Sequence, residues 1–155
     1  MDNQQKGTIL TLLKVDEMNR NYKNNYWFSY EDFLDPEDDF TEFSCERFDG
    51  KRGYTARIED LIGRDGTARI FVQVYGLEDD NHEQYIYADT LIIFSKLSLD
   101  EIKQIFNEEE DISPSDIGEE GDFSQPTFLI HDNGVLIPGT ELLGDDHFVY
   151  YCWWD

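Results

Sequence analysis

The sequence predicts an α+β domain, a mostly antiparallel β-sheet with one main amphipathic helix packed on it at about residues 99–109. Three observations carry this expectation. Runs rich in β-branched and aromatic residues recur from Thr8 to Trp154. Asp-Gly and Asn-Gly turn pairs separate several of these runs. A single segment combines a helix start signal with helical spacing. At 155 residues the chain has the length of one domain with a sizeable core, so residues 1–155 read as a single domain.

Thr8 to Val15 (TILTLLKV) is apolar and β-branched and reads as a strand. Asn19 to Asn25 is polar and loop-like. Tyr26 to Tyr30 reads as an aromatic strand. Asp35-Pro36-Glu37-Asp38-Asp39 forms an acidic loop, in which Pro36 holds Asp35 extended. Phe40 to Phe48 interleaves aromatics with acids and reads as a further strand. A hairpin is expected next. Tyr54, Ala56, Ile58 and Ile62 alternate with polar residues, Gly63-Arg64-Asp65-Gly66 turns the chain, and Ala68, Ile70, Val72 and Val74 resume the alternation. Gln84 to Ala88 and Thr90 to Ser95 read as two more strands.

Ser98-Leu99-Asp100-Glu101 fits a capping box, with Ser98 as the cap and Glu101 reaching back to it. Leu99, Ile102, Ile105 and Phe106 then form an apolar stripe. This helix should fray through Glu108 to Asp111, because acids oppose the dipole at a helix C-terminus. Ser113 to Gln125 is loop-like. Thr127 to His131 and Val135 to Ile137 flank Asp132-Asn133-Gly134 as a second hairpin. His147 to Trp154 closes the chain as a strand, with Phe148, Tyr150, Cys152 and Trp154 on one face and Val149, Tyr151 and Trp153 on the other.

Charge dominates the composition. Twelve Lys and Arg face 35 Asp and Glu, a net charge of −23 and a pI near 4.1. A mean hydropathy of −0.61 with this charge borders on disorder, but 15% aromatic residues point to a folded core. Such a chain repels nucleic acid and anionic membrane surfaces. No apolar run approaches the roughly 20 residues of a membrane span. Met1 to Lys6 shows no basic region leading into an apolar one, so no secretory signal is expected. Cys45 and Cys152 read as free thiols, and the location expected is the cytoplasm.

Motifs for catalysis are sparse. Asp79, Asp80, His82 and Glu83 form one cluster of metal-binding residue types; Asp145, Asp146 and His147 form another, and His131-Asp132 a third. None has calcium-loop or zinc spacing, and in so acidic a chain solvated turns account for them. No carboxylate pair stands out for acid–base work. Cys45 lies among acids, which do not activate a thiol, and no nucleophile elbow or phosphate-cradling glycine loop occurs. Asp89 followed by Glu101-Ile102-Lys103 resembles a metal-dependent nuclease pattern, but Glu101 belongs to the capping box. No catalytic residue, metal or cofactor is expected, and the chain reads as a non-enzymatic binding protein.

The acids themselves carry the functional reading. Every Lys and Arg lies at or before Lys103, and residues 104–155 hold thirteen acids and no basic residue, a net of −13. The candidate partner-binding residues are Glu108, Glu109, Glu110, Asp111, Asp116, Glu119, Glu120, Asp122, Asp145 and Asp146, with Trp153 as an aromatic anchor in the charged rim. In composition the chain resembles small acidic proteins that neutralise basic toxins, bacterial immunity proteins among them. That resemblance implies a basic protein partner, a toxin or nuclease domain whose positive substrate site is occluded. The alternatives are a nucleic-acid mimic that inhibits a DNA-acting enzyme and, more remotely, a metal-assisted carboxylate hydrolase.

Overall fold

The computed structural model describes residues 1–20, 24–81, 83–120, 125–144 and 146–155. The first element is set by Asp2. Its carboxylate accepts the Gln5 N–H at 2.7 Å while the Gln5 side chain accepts the Asp2 N–H at 2.9 Å. This reciprocal cap starts α1 (Asn3–Met18). Thr8 to Val15 is therefore helical, not a strand. Its β-branched residues lower helix propensity by only a few tenths of a kcal/mol each, roughly, and burial of Gln5 and Ile9 at helical spacing outweighs that. The Gln5 amide donates to Asp32 Oδ2 and the Ile130 carbonyl, which ties α1 to the sheet.

β1 (Asn25–Ser29) is the expected aromatic strand. Ser29 caps the short α2 (Tyr30–Phe33), and of the predicted strand at Phe40 to Phe48 the structure keeps β2 (Thr41–Phe43) and an isolated bridge from Phe43 to Glu46. The larger correction is α3 (Lys51–Arg64). Lys51, Tyr54, Ile58 and Leu61 are buried, a spacing of three and four residues, while Ala56 is exposed. The alternation that suggests a strand here omits Leu61, the residue that fixes the helical period.

The real hairpin pairs β3 (Arg69–Asp80) with β4 (Glu83–Ser95). The capping box operates as expected at α4 (Leu99–Phe106), where the Glu101 carboxylate accepts the Ser98 N–H at 2.7 Å. The region expected to be a loop after Ser113 contains an edge strand, β5 (Asp116–Glu119). β6 (Thr127–Ile130) and β7 (Leu136–Pro138) form the second predicted hairpin, and β8 (Phe148–Trp153) is the predicted terminal strand.

These strands make one eight-stranded sheet in the order β5-β8-β4-β3-β1-β6-β7, with β2 beside the outer part of β4. Pairing is antiparallel except for β1 with β6 and β2 with β4. The α+β class and the mostly antiparallel sheet are thus as the sequence predicts, but the helix expected as the one main helix at about residues 99–109 is the short α4 (Leu99–Phe106), and α1 and α3 are longer. α1, α3 and α4 pack on one face over Phe28, Val72, Leu91, Ile93 and Cys152. The other face buries Trp27, Phe71, Ile92, Phe94 and Leu129 beneath Leu142, from the 3-10 turn at Gly139–Leu142. Cys45 and Cys152 are both free thiols, and burial pushes the Cys152 thiol up. Among the described residues no helix is long and apolar enough to cross a membrane.

Asp65 locks the end of α3 to the end of β4. Its carboxylate accepts the Thr67 N–H (3.0 Å) and hydroxyl (2.6 Å), the Ser95 hydroxyl (2.8 Å) and the Lys96 N–H (2.8 Å). Burial opposes the charge, but the bonds from Thr67, Lys96 and Ser95 outweigh it and hold the carboxyl well below its ordinary value. A depressed folded pKa stabilises the protein above the unfolded pKa of about 4, and that contribution fades as pH falls below it. Asp65→Asn should therefore cost about 2 kcal/mol at neutral pH. In urea unfolding, the gap between the two proteins should narrow as pH falls from about 5 toward about 2.

Candidate acidic and aromatic binding surface

The predicted acidic residues do not form one continuous patch. Glu108 and Glu109 follow α4 and reach back to α3, where the Arg57 guanidinium contacts the Glu108 carboxylate and lies 3.9 Å from that of Glu109. The last third therefore has an answering cation, brought there by the fold rather than by sequence proximity. Glu110 and Asp111 start an exposed 3-10 turn. Asp116, Glu119 and Glu120 lie on or beside the edge strand β5, and Asp146 lies beyond the Gly139–Leu142 turn. Glu110, Asp111, Asp116, Glu119, Glu120 and Asp146 make no ion pair among the described residues. Asp122 and Asp145, and also His82 and Phe123, lie outside the described residues.

Two of the predicted residues do come together. Asp116 of β5 is the register partner of Trp153 of β8, so both side chains project on the sheet face away from the helices. Tyr151, one pleat along on that face, donates its hydroxyl to Asp116 Oδ2 at 2.6 Å, and this bond to the carboxylate raises the Tyr151 pKa. Gly118 makes this possible, because a Cβ there would meet the Tyr151 hydroxyl at 2.7 Å. The register then runs on from Trp153 to Thr90 of β4, Gln73 of β3 and Trp27 of β1.

That row ends the regular sheet. β1 pairs with β3 only as far as Trp27 and Gln73, and β8 pairs with β4 only as far as Thr90 and Trp153. Just beyond it the β3–β4 register slips twice, leaving Asp89 of β4 and Tyr75 of β3 without register partners. Beyond these bulges the β3–β4 arm pairs on to Asp80 and Glu83, and β2 pairs with its β4 strand. A cleft of about 530 Å³ opens between this arm, the C-terminal part of α1 and the end of β8. Asp16, Glu17, Asp89, Tyr26, Tyr75 and Trp153 are among its lining residues, and no Lys or Arg is among the described ones.

The carboxylates here are positioned without being neutralised. Asp89 Oδ1 accepts the Thr90 hydroxyl at 2.8 Å and Asp89 Oδ2 accepts the Trp153 indole N–H at 3.3 Å. Asp16 Oδ2 accepts the Tyr26 hydroxyl at 2.6 Å. Burial, with that bond to Asp16, pushes the Tyr26 phenol up to about 12, so at neutral pH it stays a donor. Trp153 is 38% exposed and Tyr75 is 73% exposed.

Sequence reasoning selects Trp153 and passes over Asp16, Glu17, Tyr26, Tyr75 and Asp89 as binding residues. The one available signal is the break in alternation between Ala88 and Thr90, which divides β4 into two predicted strands at the bulge residue. Among their described residues, the remaining clusters align no base on a free nucleophile. Thr67 donates its hydroxyl to Asp65, so His147 Nε2, 3.1 Å away, contacts an oxygen already oriented elsewhere. Among the described residues no three His, Cys, Asp or Glu side chains converge to hold a metal ion. No protein-family model matches the chain, nor does any curated protein or solved structure.

Proposed function

We propose that the protein is a non-enzymatic acidic binding protein that neutralises a strongly basic partner, a toxin and specifically a nuclease domain, by covering its positively charged substrate site. The observation that carries this reading is the group formed by Asp116, Tyr151 and Trp153. A carboxylate without a cation sits beside a half-exposed tryptophan on a sheet whose edge strand is itself acidic. Aromatic anchors inside a charged rim are how protein interfaces combine affinity with steering. Carboxylates at such a rim occupy the places where phosphates would pair with Lys and Arg. The same reading places the protein in the cytoplasm beside its partner.

A pull-down from the native source tests it. A basic protein should be recovered at low salt and lost progressively as salt rises, since the attraction is screened over about 8 Å at physiological ionic strength. Recovery of nothing between about 50 and 150 mM salt counts against the proposal. Asp116, Glu119 and Glu120 are the residues to reverse, because reversing Glu108 or Glu109 would set a new cation against Arg57. The triple change to Lys should slow association with the recovered partner by roughly tenfold or more at low salt while leaving dissociation nearly unchanged. Stopped-flow mixing measures both rates, and an unchanged association rate would remove β5 from the interface.

A further inference from the structure

We infer that the cleft where the sheet divides at Asp89 and Tyr75 is a receptor for one arginine side chain of the partner. The inference rests on the reading of the protein as a binder of a basic protein, and it specifies what that partner must present.

Three independent features of the cleft select this ligand. The first is charge. Asp16, Glu17 and Asp89 line one concavity, and none of them makes an ion pair among the described residues. Elsewhere the scarce cations are used, as in Lys6 with Asp38 at 3.4 Å or Arg64 with Asp60 at 3.5 Å. The second is orientation. Neutral donors (the Tyr26 and Thr90 hydroxyls and the Trp153 indole) hold Asp16 and Asp89 in place. A carboxylate fixed by neutral donors keeps its full charge and loses little further freedom when a cation arrives. The third is the wall. The rings of Trp153 and Tyr75 are accessible at the cleft, and Tyr75 is braced edge-on by Tyr87 at 6.0 Å.

A planar cation that stacks on aromatic faces and donates several hydrogen bonds to carboxylates satisfies all three features. The guanidinium does so better than the compact, strongly hydrated ammonium of lysine. The paired bulges provide the concavity itself, since they end pairing on both flanks of the β3–β4 hairpin at a single cross-strand row. A phosphate ligand does not fit, because no cation lines the described part of the cleft.

The test uses acetyl-Gly-Arg-Gly-amide and its citrulline counterpart, which replaces the charged guanidinium with a neutral urea of nearly the same shape. The Trp153 indole N–H resonance, assigned with Trp153→Phe, is followed during titration. The arginine peptide should shift it saturably, and the citrulline peptide should bind roughly tenfold or more weakly, as expected when a charge-assisted contact is lost. Asp16→Asn, which keeps an acceptor for the Tyr26 hydroxyl, and Asp89→Asn, whose amide can accept the Trp153 N–H and donate to the Thr90 hydroxyl oxygen, should each weaken the arginine peptide by a similar factor. Equal binding of the two peptides, or no movement of the Trp153 resonance, overturns the inference without relying on any variant. Heptaarginine separates the two readings. Salt-dependent binding that is unaffected by Asp16→Asn with Asp89→Asn would overturn the cleft and leave the acidic-surface proposal standing. Selective arginine binding at Trp153, with no basic protein recovered from the native source, would uphold the cleft and overturn the proposed function.

Discussion

Trp154→Ala is expected to lower the stability of the fold by about 4 kcal/mol, and Trp153→Ala by less than about 1 kcal/mol. The two residues are adjacent in the chain and point to opposite faces of the sheet. Trp154 is 5% exposed. Its ring meets those of Phe43 and Tyr54 at 5.3 Å each and that of Phe106 at 6.3 Å, all edge to face. Its indole N–H donates to the Ile112 carbonyl at 2.8 Å, and its own backbone N–H donates to the Asp89 carbonyl at 2.9 Å. One side chain therefore joins β2, α3 and α4 to the end of the chain. Removing it leaves a void lined by three rings that cannot all collapse inward, and strands a part-buried carbonyl acceptor. A domain of ordinary stability holds about 5 to 15 kcal/mol, and this one also bears the self-repulsion of its charge. The variant should be close to unfolding at 37 °C. Urea midpoints from circular dichroism measure the effect; comparable losses for the two variants would show that the alternation of β8 does not decide which tryptophan is structural.

That alternation is among the features legible in the sequence. β8 reads correctly because Val149 to Trp154 alternates without interruption and both faces are populated by large residues, so a shift of one position would expose Tyr150, Cys152 and Trp154 together. α4 reads correctly because Ser98 and Glu101 supply both halves of a cap. α1 and α3 mislead for different reasons. In α1 the β-branched run masks a cap made by Asp2 and Gln5, a less common pairing of the same reciprocal kind. In α3 Tyr54, Ala56, Ile58 and Ile62 happen to fall on even-numbered positions, and only burial shows that Ala56 is outside and Leu61 inside. Misreading α3 also hides Arg57, whose place opposite Glu108 and Glu109 depends on the packing of α3 beside α4. Charge counted along the chain therefore overstates how unanswered the last third is. The cleft is harder still to foresee. Its residues come from α1, β1, β3, β4 and β8, and the gap exists because two bulges fall side by side. A bulge is a property of paired strands, so the break between Ala88 and Thr90 marks a position on one strand without showing that Tyr75 slips beside it.

Lys51→Met should cost about 2 to 4 kcal/mol at neutral pH and should remove a rise in stability at alkaline pH. Lys51 opens α3 and its side chain is fully buried. Its Nζ donates to the Asp38 carbonyl at 2.7 Å, the Asp35 carbonyl at 3.1 Å and the Thr41 hydroxyl oxygen at 2.5 Å, while the Thr41 hydroxyl donates to the Phe33 carbonyl at 2.7 Å. The ammonium thus organises the acidic loop between α2 and β2 through neutral acceptors. Methionine fills similar volume but leaves those acceptors without a donor. Burial lowers the Lys51 pKa, and the Asp38 and Asp35 charges only partly restore it, so it falls to about 8 from an ordinary 10.5. A lowered folded pKa means that the unfolded chain binds more protons between these values, and stability rises with pH across that window. The unmodified protein should gain about 2 kcal/mol relative to the variant between about pH 7 and pH 9.5. The comparison stops there because Tyr26 and Tyr87 have folded pKa values raised to about 12, which makes stability fall once unfolded tyrosines ionise above about pH 10. Paired urea titrations at each pH give the difference directly. Parallel curves would mean that Lys51 keeps its proton throughout, and that the three acceptors solvate the ammonium as well as water does.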